Sequence, residues 1–421
     1  MDRSVRRGLA LIAIGLVVIA VILLVPKQHK KPAHPPNDDS WLLVSYSPDN
    51  KYGTYLGNGF ISTRIMGDGV GSQDGKPLPC FMAGLYDDEK LIPTPTWSDL
   101  RFYDGKKQFK IDKDAPYKQT LDMRTGLLTT HATWRAGDKT LKGKIEVIVS
   151  RARPALALVY AELRPDFSGA IRAVSPLGQV VPGLKSDRMG RGQGDGSAIA
   201  FDEYITKHSG SFFTVARRLS CGQPEERATG KALEARLRVN AGKPVTVSSY
   251  AAVVGGKASS IWDDPLEIWF GTERGRMLRA QKAAWAKLWR SDIIIDGPRK
   301  DQQAIHSCMF YLLQSVREGS QWSIPPMGLS DSAFSGHVFW DADTWMFPAL
   351  ILQHPELARA IVDYRYNTLP GAIANAKASG YAGAEYAWES GYTGKEDIPP
   401  GLEYRYGRHI DGDVALAQWQ Y

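Results

Sequence analysis

The sequence predicts a large antiparallel β-sandwich, then an all-α domain built as a toroid of helix pairs, the whole carried behind an N-terminal transmembrane helix. Three observations lead there. Short alternating apolar runs broken by Gly, Pro and Asn fill the chain from Trp41 to about Trp269, the period-two signature of strands. Near Thr272 the period changes to that of amphipathic helices and keeps it to the end. Ahead of both, Gly8–Val25 is uncharged and rich in Ile, Val and Leu, and its length as a helix, ~27 Å, just crosses a hydrocarbon core.

Each element has its local reason. A cleaved signal would carry a shorter apolar core and a small-x-small site. Val25-Pro26-Lys27-Gln28 offers no such site, so residues 1–25 are expected to be an uncleaved anchor, the N-terminus cytoplasmic and the body exported. Residues 26–40, with three Pro in Lys27–Asp39, form a tether. The sandwich is expected over 41–270. Leu141–Ser150, Ala155–Leu163 and Val245–Val254 are its plainest strands, and the glycine-rich stretch Gly190–Gly196 is read as a flexible surface loop. A linker helix over 271–298 aligns Met277, Leu278, Trp285, Leu288 and Trp289 on one face, with Thr272 as N-cap. From 299 to 421 come helices over Asp301–Gly319, Pro355–Asn367 and Gly371–Ser379, joined by long aromatic and polar loops suited to carry a site.

Composition narrows the function. Hydrophobic residues are 43% and charged residues 23% of 421, an ordinary globular balance. The net charge is +7; residues 1–40 hold six Lys/Arg and three Asp, so +3 sits there and +4 is spread over the rest. That is too dilute for a nucleic-acid reader. Cys80, Cys221 and Cys308 match neither a disulfide framework nor a zinc motif, and Gly190–Gly196 lacks the Lys-Ser/Thr of a phosphate loop. No cofactor or metal is expected. Twelve Trp and eighteen Tyr suit sugar stacking as well as a large core.

Three clusters set an aromatic or basic residue beside a carboxylate: Gly336–Asp343, Tyr386–Ser390 and Arg408–Asp413. A pyranose needs such pairings, because its C–H face stacks on an indole while its hydroxyls seek charged acceptors. The plainer alternative makes Trp340, Trp345 and Trp388 core and the acids helix-start residues. Asp341-Ala342-Asp343 also has the form of a metal-binding D-x-D, but no βαβ pattern surrounds it.

The run Gly336-His337-Val338-Phe339-Trp340-Asp341, with Phe347-Pro348, His354–Ala358, Tyr364–Ala372 and Trp388-Glu389-Ser390, resembles glycoside hydrolase family 65. Leu56-Gly57-Asn58-Gly59-Phe60 resembles the family's N-terminal signature, and Trp285–Gly297 its linker helix. The family includes acid trehalases, protein-glucosylgalactosylhydroxylysine glucosidase and disaccharide phosphorylases. The resemblance implies a β-sandwich, a linker helix and an (α/α)6 catalytic barrel. It further implies that Trp340 and Asp341 bind glucose in the −1 subsite with Phe339 as wall, and that Trp388 and Glu389 form a second lining segment. His409 and Gly412 resemble a Glu-x-His-x-x-Gly segment, with Gly407 where the Glu is expected.

Trp-Glu-Ser at 388–390 resembles the hydrolase-type members, where many phosphorylases show Trp-Gln. The implied activity is inverting cleavage of an α-glucoside, which requires an acid and, for hydrolysis, a base. The family's general acid lies in a segment expected beyond Tyr421, so the chain reads as the N-terminal part of a longer protein. The expected partners are an α-glucoside and, through the first helix, a membrane. A phosphorylase, or a non-catalytic membrane-anchored carbohydrate-binding protein, stays open as the alternative.

Overall fold

Strands dominate because the apolar period of two persists over long, turn-bounded runs. In the computed structural model residues 39–421 are described, apart from 195, 223–225, 256–272 and 400. By its contacts the chain divides into Met1–Asp39 and Ser40–Tyr421. The second unit holds all the described strands and α-helices. Its larger sheet runs in the order Leu42–Ser45, Lys118–Asp122, Leu127–Ala136, Lys139–Val149, Leu156–Pro165, Val245–Gly255, Phe212–Ser220, Ser197–Thr206, Leu184–Gly194. Each neighbouring pair is antiparallel. The central strand Leu156–Pro165 is apolar almost throughout, as a strand covered on both faces must be.

A smaller sheet, ordered Lys107–Gln108, Arg101–Asp104, Gly169–Pro176, Ala232–Val239, Glu226–Ala228, covers one of those faces. Leu233, Ala235, Leu237 and Val239 point into a core shared with Val159, Ala161 and Ile171, while Glu234, Arg236 and Arg238 alternate outward. Helix α1 (Arg274–Leu288) lies on the opposite face of the larger sheet. There Met277 joins Ile148, Leu156, Leu158 and Tyr250, and the Arg274 guanidinium sits 4.3 Å above the Tyr160 ring beside Glu146. Trp285 of α1 stacks at 4.7 Å on Phe310 of α2 (Arg299–Leu313).

The last turn of α2 is where the sheets and the C-terminal region are joined. Arg151, 8% exposed, donates through Nη1 to the carbonyls of Leu313 (2.8 Å), Val316 (2.7 Å) and Asn58 (2.9 Å). It satisfies carbonyls that a helix end leaves unpaired, and its charge suits the negative end of the helix dipole. Burial, reinforced by the nearby Arg317 charge, pulls its pKa down to about 9. Asn58 is itself buried and donates to Ser150 and Pro154 carbonyls while accepting from the amides of Phe60 and Ile61. Gly59 adopts φ +79°, and an added Cβ would run into the Val316 carbonyl.

Beyond α2 follow α3 (Phe347–Gln353), α4 (Pro355–Asn367), α5 (Leu369–Ala378) and α6 (His409–Gln420). The expected fold class needs correction here. The helices described beyond residue 298 do not make up an (α/α)6 toroid. Sheets prevail, and the long stretches after α2 and α5 are broken by Gly319, Pro325, Pro326, Gly328, Gly380, Gly383, Gly391 and Gly394. The expected transmembrane helix and the membrane-anchored, exported placement find no counterpart in the described structure. Among the described residues no helix is long and apolar enough to cross a membrane, since α1 and α2 have only 15 residues each and are amphipathic. Gly8–Val25 and the proposed cap Thr272 lie outside the described residues.

Two local expectations also change. Gly190–Gly194 is not a loop but the end of a strand, with Gly190 opposite Phe201 and Gly194 opposite Ser197. The Phe201 ring lies where a side chain on Gly190 would stand, so the glycine makes room for a cross-strand aromatic. The helix expected to run to Gly319 stops at Leu313, where Arg151 and the buried Gln314 take over its carbonyls and neighbouring amides.

Two outcomes test this packing. Gly59→Ala should cost on the order of 2–4 kcal/mol in urea unfolding, combining left-handed strain with a backbone collision. Gly105→Ala, also left-handed but facing open space, should lose only about 1 kcal/mol; equal losses would refute the collision. The second concerns Asp68, half-buried as a residue, whose carboxyl is pushed up to about 7. Desolvation is the main cause; the Val70 amide opposes it and Asp99 adds to it. Because the folded pKa exceeds the unfolded one, stability is full below about pH 4 and falls as pH rises through 7. Thermal midpoints of wild type and Asp68→Asn should therefore diverge between pH 5 and pH 8, the variant gaining with pH. A constant difference would exclude Asp68 as the titrating group.

Candidate functional site

The site segments are set by backbone pairing before any side chain is considered. Phe334, Ser335 and Gly336 take φ of 55°, 56° and 66° in succession, a left-handed run that L-residues avoid and that accumulates at functional sites. It turns the chain into the short strand Val338–Phe339, which pairs antiparallel with Glu389–Ser390, Phe339 facing Glu389 across the ladder. The hydroxyl of Tyr364, from α4, fixes the partner strand by donating to the Gly391 carbonyl at 2.6 Å. After Trp340 the chain enters a π-helical turn, Ala342–Met346, that runs on into α3, a wide-turn geometry frequent at functional sites.

Asp341 and Asp343, two residues apart, have separate tasks. Asp343 is 3% exposed and takes Arg365 Nη2 at 2.6 Å and Nε at 3.0 Å, while the same Nη2 donates to the Phe339 carbonyl at 3.1 Å. It is a structural anchor that ties α4 to the site strand. Asp341 is half-buried, makes no capping bond, and its carboxylate has no partner among the described residues. Asp341 does stand at the start of the helical turn, though its side chain caps no amide, and the D-x-D reading fails because Asp343 is already engaged. No group of three metal-ligating side chains occurs among the described residues.

Trp340, Trp388 and His409 converge: their ring centroids are 5.8 Å (Trp340–Trp388), 5.0 Å (Trp340–His409) and 5.8 Å (Trp388–His409) apart, all edge-to-face. Tyr404 stacks on Trp388 at 5.4 Å. His409 arrives as the first residue of α6. The indole N–H of Trp340 is buried with no acceptor among the described residues. Trp345 is 67% exposed, so it is not core. Gly407 packs so closely on the Trp388 ring that no side chain fits there.

A cleft of about 720 Å³ opens beside this cluster, lined by Phe339, Trp388, Glu389, His337, Asp397 and Tyr404 among others. Phe339, Trp388 and Glu389 thus line the cleft. Trp340 and His409 back the Trp388 ring, and Asp341 follows Trp340 without lining the cleft itself. A concavity of about 490 Å³ on the outer face of the smaller sheet, where Arg172 and Arg227 pair with Glu234, contains none of the expected residues.

Four residues of the site escaped sequence reasoning. His337, 2% exposed, has Nδ1 3.3 Å from Glu389 Oε2. Its Nε2 lies 3.3 Å from Asp397 Oδ2, close enough for an ion pair but off the line of a hydrogen bond. Glu396 accepts from the amides of Trp388 (2.8 Å) and Ile398 (3.3 Å), and so shapes the second lining segment. Burial raises its carboxyl above the usual range against those amides, and Glu389 adds to the rise. Asp88 and Lys90 reach the same cleft from the N-terminal part of the chain. Only His337 had a signal, its place in the aromatic-acid run.

Residues 52–293 match the model of the glycosyl hydrolase family 65 N-terminal domain, and 307–421 match that of its central catalytic domain. A kojibiose hydrolase from Mucilaginibacter mallensis is 44% identical over 181 residues, which are 41% of this chain and 27% of that protein. A kojibiose hydrolase from Flavobacterium johnsoniae is 28% identical over 91% of this chain and 59% of its own length. The chain therefore spans less than two thirds of these relatives. The solved structure of a human-microbiome protein provisionally assigned as a kojibiose phosphorylase shares the fold, with TM-score 0.79 at 20% identity, over 91% of this chain and 56% of that one. With both domain models matched in order along most of its length, the chain belongs to glycosyl hydrolase family 65.

Proposed function

We propose that this chain carries the glucose-binding side of an enzyme that cleaves α-glucosidic bonds with inversion, by hydrolysis rather than phosphorolysis. The observation that carries the proposal is the meeting of the Trp340, Trp388 and His409 rings, with Asp341, whose carboxylate is unpaired among the described residues, next in sequence to Trp340. An indole gives the C–H face of a pyranose a flat apolar plane. A carboxylate can accept two hydroxyl hydrogen bonds, each about twice as strong as one to a neutral acceptor. Glu389, steadied by His337, supplies a second acceptor across the short ladder from Phe339.

Hydrolysis is favoured by the Trp388-Glu389-Ser390 sequence and by relatives named as hydrolases. The described cleft lining also sets Asp88, Glu389 and Asp397 against Lys90 and His337, a balance that suits attack by water better than by an anion. Gly407, with no room for the acid the family segment carries, favours a second reading: a carbohydrate-binding protein that holds the sugar without turning it over.

The test contrasts the two neighbouring acids. Asp341→Ala should leave the thermal midpoint nearly unchanged. In a protein extended by the segment that carries the family's general acid, it should cost on the order of 2–4 kcal/mol of transition-state stabilisation on an α-glucobiose, read as kcat/KM at roughly tenfold per 1.36 kcal/mol. Asp343→Ala should instead unfold early, because a buried Arg365 without its partner costs about 3–5 kcal/mol. Full activity in Asp341→Ala, or activity abolished by chelator, would overturn the proposal. Glucose binding that depends on Asp341 but brings no turnover would decide for the binding protein.

A further inference from the structure

A two-stranded hairpin from the N-terminal part of the chain forms one wall of the cleft. Tyr86–Asp87 pairs with Lys90–Leu91, and the two loop residues Asp88 and Glu89 both take left-handed φ, 52° and 63°. This is the tight turn that suits strand twist but that Glu adopts only at a cost. The strain is held from both sides. On the sheet side, Asp87 Oδ1 accepts from the amides of His208 (2.7 Å) and Ser209 (2.9 Å), and its Oδ2 lies 2.9 Å from His208 Nδ1.

On the site side, the Tyr86 hydroxyl donates to the Gly336 carbonyl at 2.9 Å and Glu89 Oε2 accepts from the Thr393 amide at 3.3 Å. Leu91 lies where a side chain on Gly336 would stand, and the Glu89 carbonyl where one on Gly391 would stand. The hairpin is therefore clamped against the residues just before His337 and just after Ser390, the two segments that carry Phe339 and Glu389. Its exposed pair, Asp88 and Lys90, faces the cleft.

From this placement we infer that Asp88 and Lys90 determine which leaving group the site accepts, by hydrogen-bonding the sugar attached to the bound glucose. The inference rests on the glucose-site reading above. On that reading Phe339, Trp388 and Glu389 of the cleft lining hold the glucosyl unit. Asp88 and Lys90 stand at the hairpin wall, where the second unit of a disaccharide must lie. A carboxylate and an ammonium two residues apart offer an acceptor and donors to adjacent hydroxyls. The described lining carries three carboxylates against Lys90 and His337, so the recognised group is a neutral, hydroxyl-rich sugar and not an acidic one.

Titration calorimetry on the chain with three probes tests this: glucose, kojibiose as a neutral α-glucobiose, and the corresponding glucosyl-glucuronate. Wild type should bind kojibiose more tightly than glucose and more tightly than the acidic analogue. Asp88→Asn, which keeps a residue tolerant of left-handed φ, and Lys90→Ala should each weaken kojibiose about tenfold, the worth of one hydrogen bond to a charged group. Both should leave glucose affinity within about twofold and the thermal midpoint unchanged. Equal weakening of glucose and kojibiose would show that the hairpin only supports the fold, and unchanged kojibiose affinity would show that it reads nothing; either overturns the inference. Failure of wild type to bind glucose would overturn the glucose-site reading instead, and this inference with it.

Discussion

One guanidinium holds the molecule together. Arg151 stands at the end of the larger sheet's fourth strand in the sheet order and points into the carbonyl end of α2, where it meets Leu313, Val316 and Asn58 at once. A buried cation with no carboxylate partner among the described residues is tolerable because three carbonyls accept from it, one of them, Leu313, at the negative end of the helix. Asn58 and Gln314 complete the joint, their side chains replacing backbone partners that loops cannot supply. Helix α2 is thereby fixed to the sheets, and the segment that leaves it, leading to the site, inherits a defined starting direction.

The site repeats this logic on a smaller scale. Asp343 and Arg365 sacrifice a potential binding carboxylate to tie α4 to the Phe339 carbonyl. The neighbouring Asp341 has no partner among the described residues, the structural duty falling to Asp343. Glu396 does the same for the Trp388-Glu389 segment through its amides. Aromatic rings and acceptor groups are thus held by residues that do not line the cleft, the arrangement expected where geometry must exist before binding.

Much of this was legible in the sequence, and the exceptions have physical causes. The strands were readable because one-sided burial enforces alternation, and the family because a long ordered series of motifs resists chance. The aromatic-acid clusters pointed to residues that do converge. The glycines at 190–194 misled because Gly in a strand looks like Gly in a loop until the facing Phe201 is known. Asp341 and Asp343 looked equivalent, since nothing local reveals that Arg365 lies beside one of them. The hairpin at 86–91 was invisible, because its role depends on contacts with residues some 250 positions away.

The same long reach governs how the protein is made. The Gly57 amide meets the Gln314 side chain across 257 residues, and Arg151 waits for carbonyls at 313 and 316. On a ribosome adding roughly 5–20 residues per second, the sheets must emerge and persist for many seconds before their cap exists. During that interval the groove around Asn58 and the face later covered by α2 stand open to other chains. Such delayed closure makes a nascent polypeptide dependent on chaperones. Yield in a cell should therefore respond to translation speed across residues 150–316 more than to the stability of the finished fold.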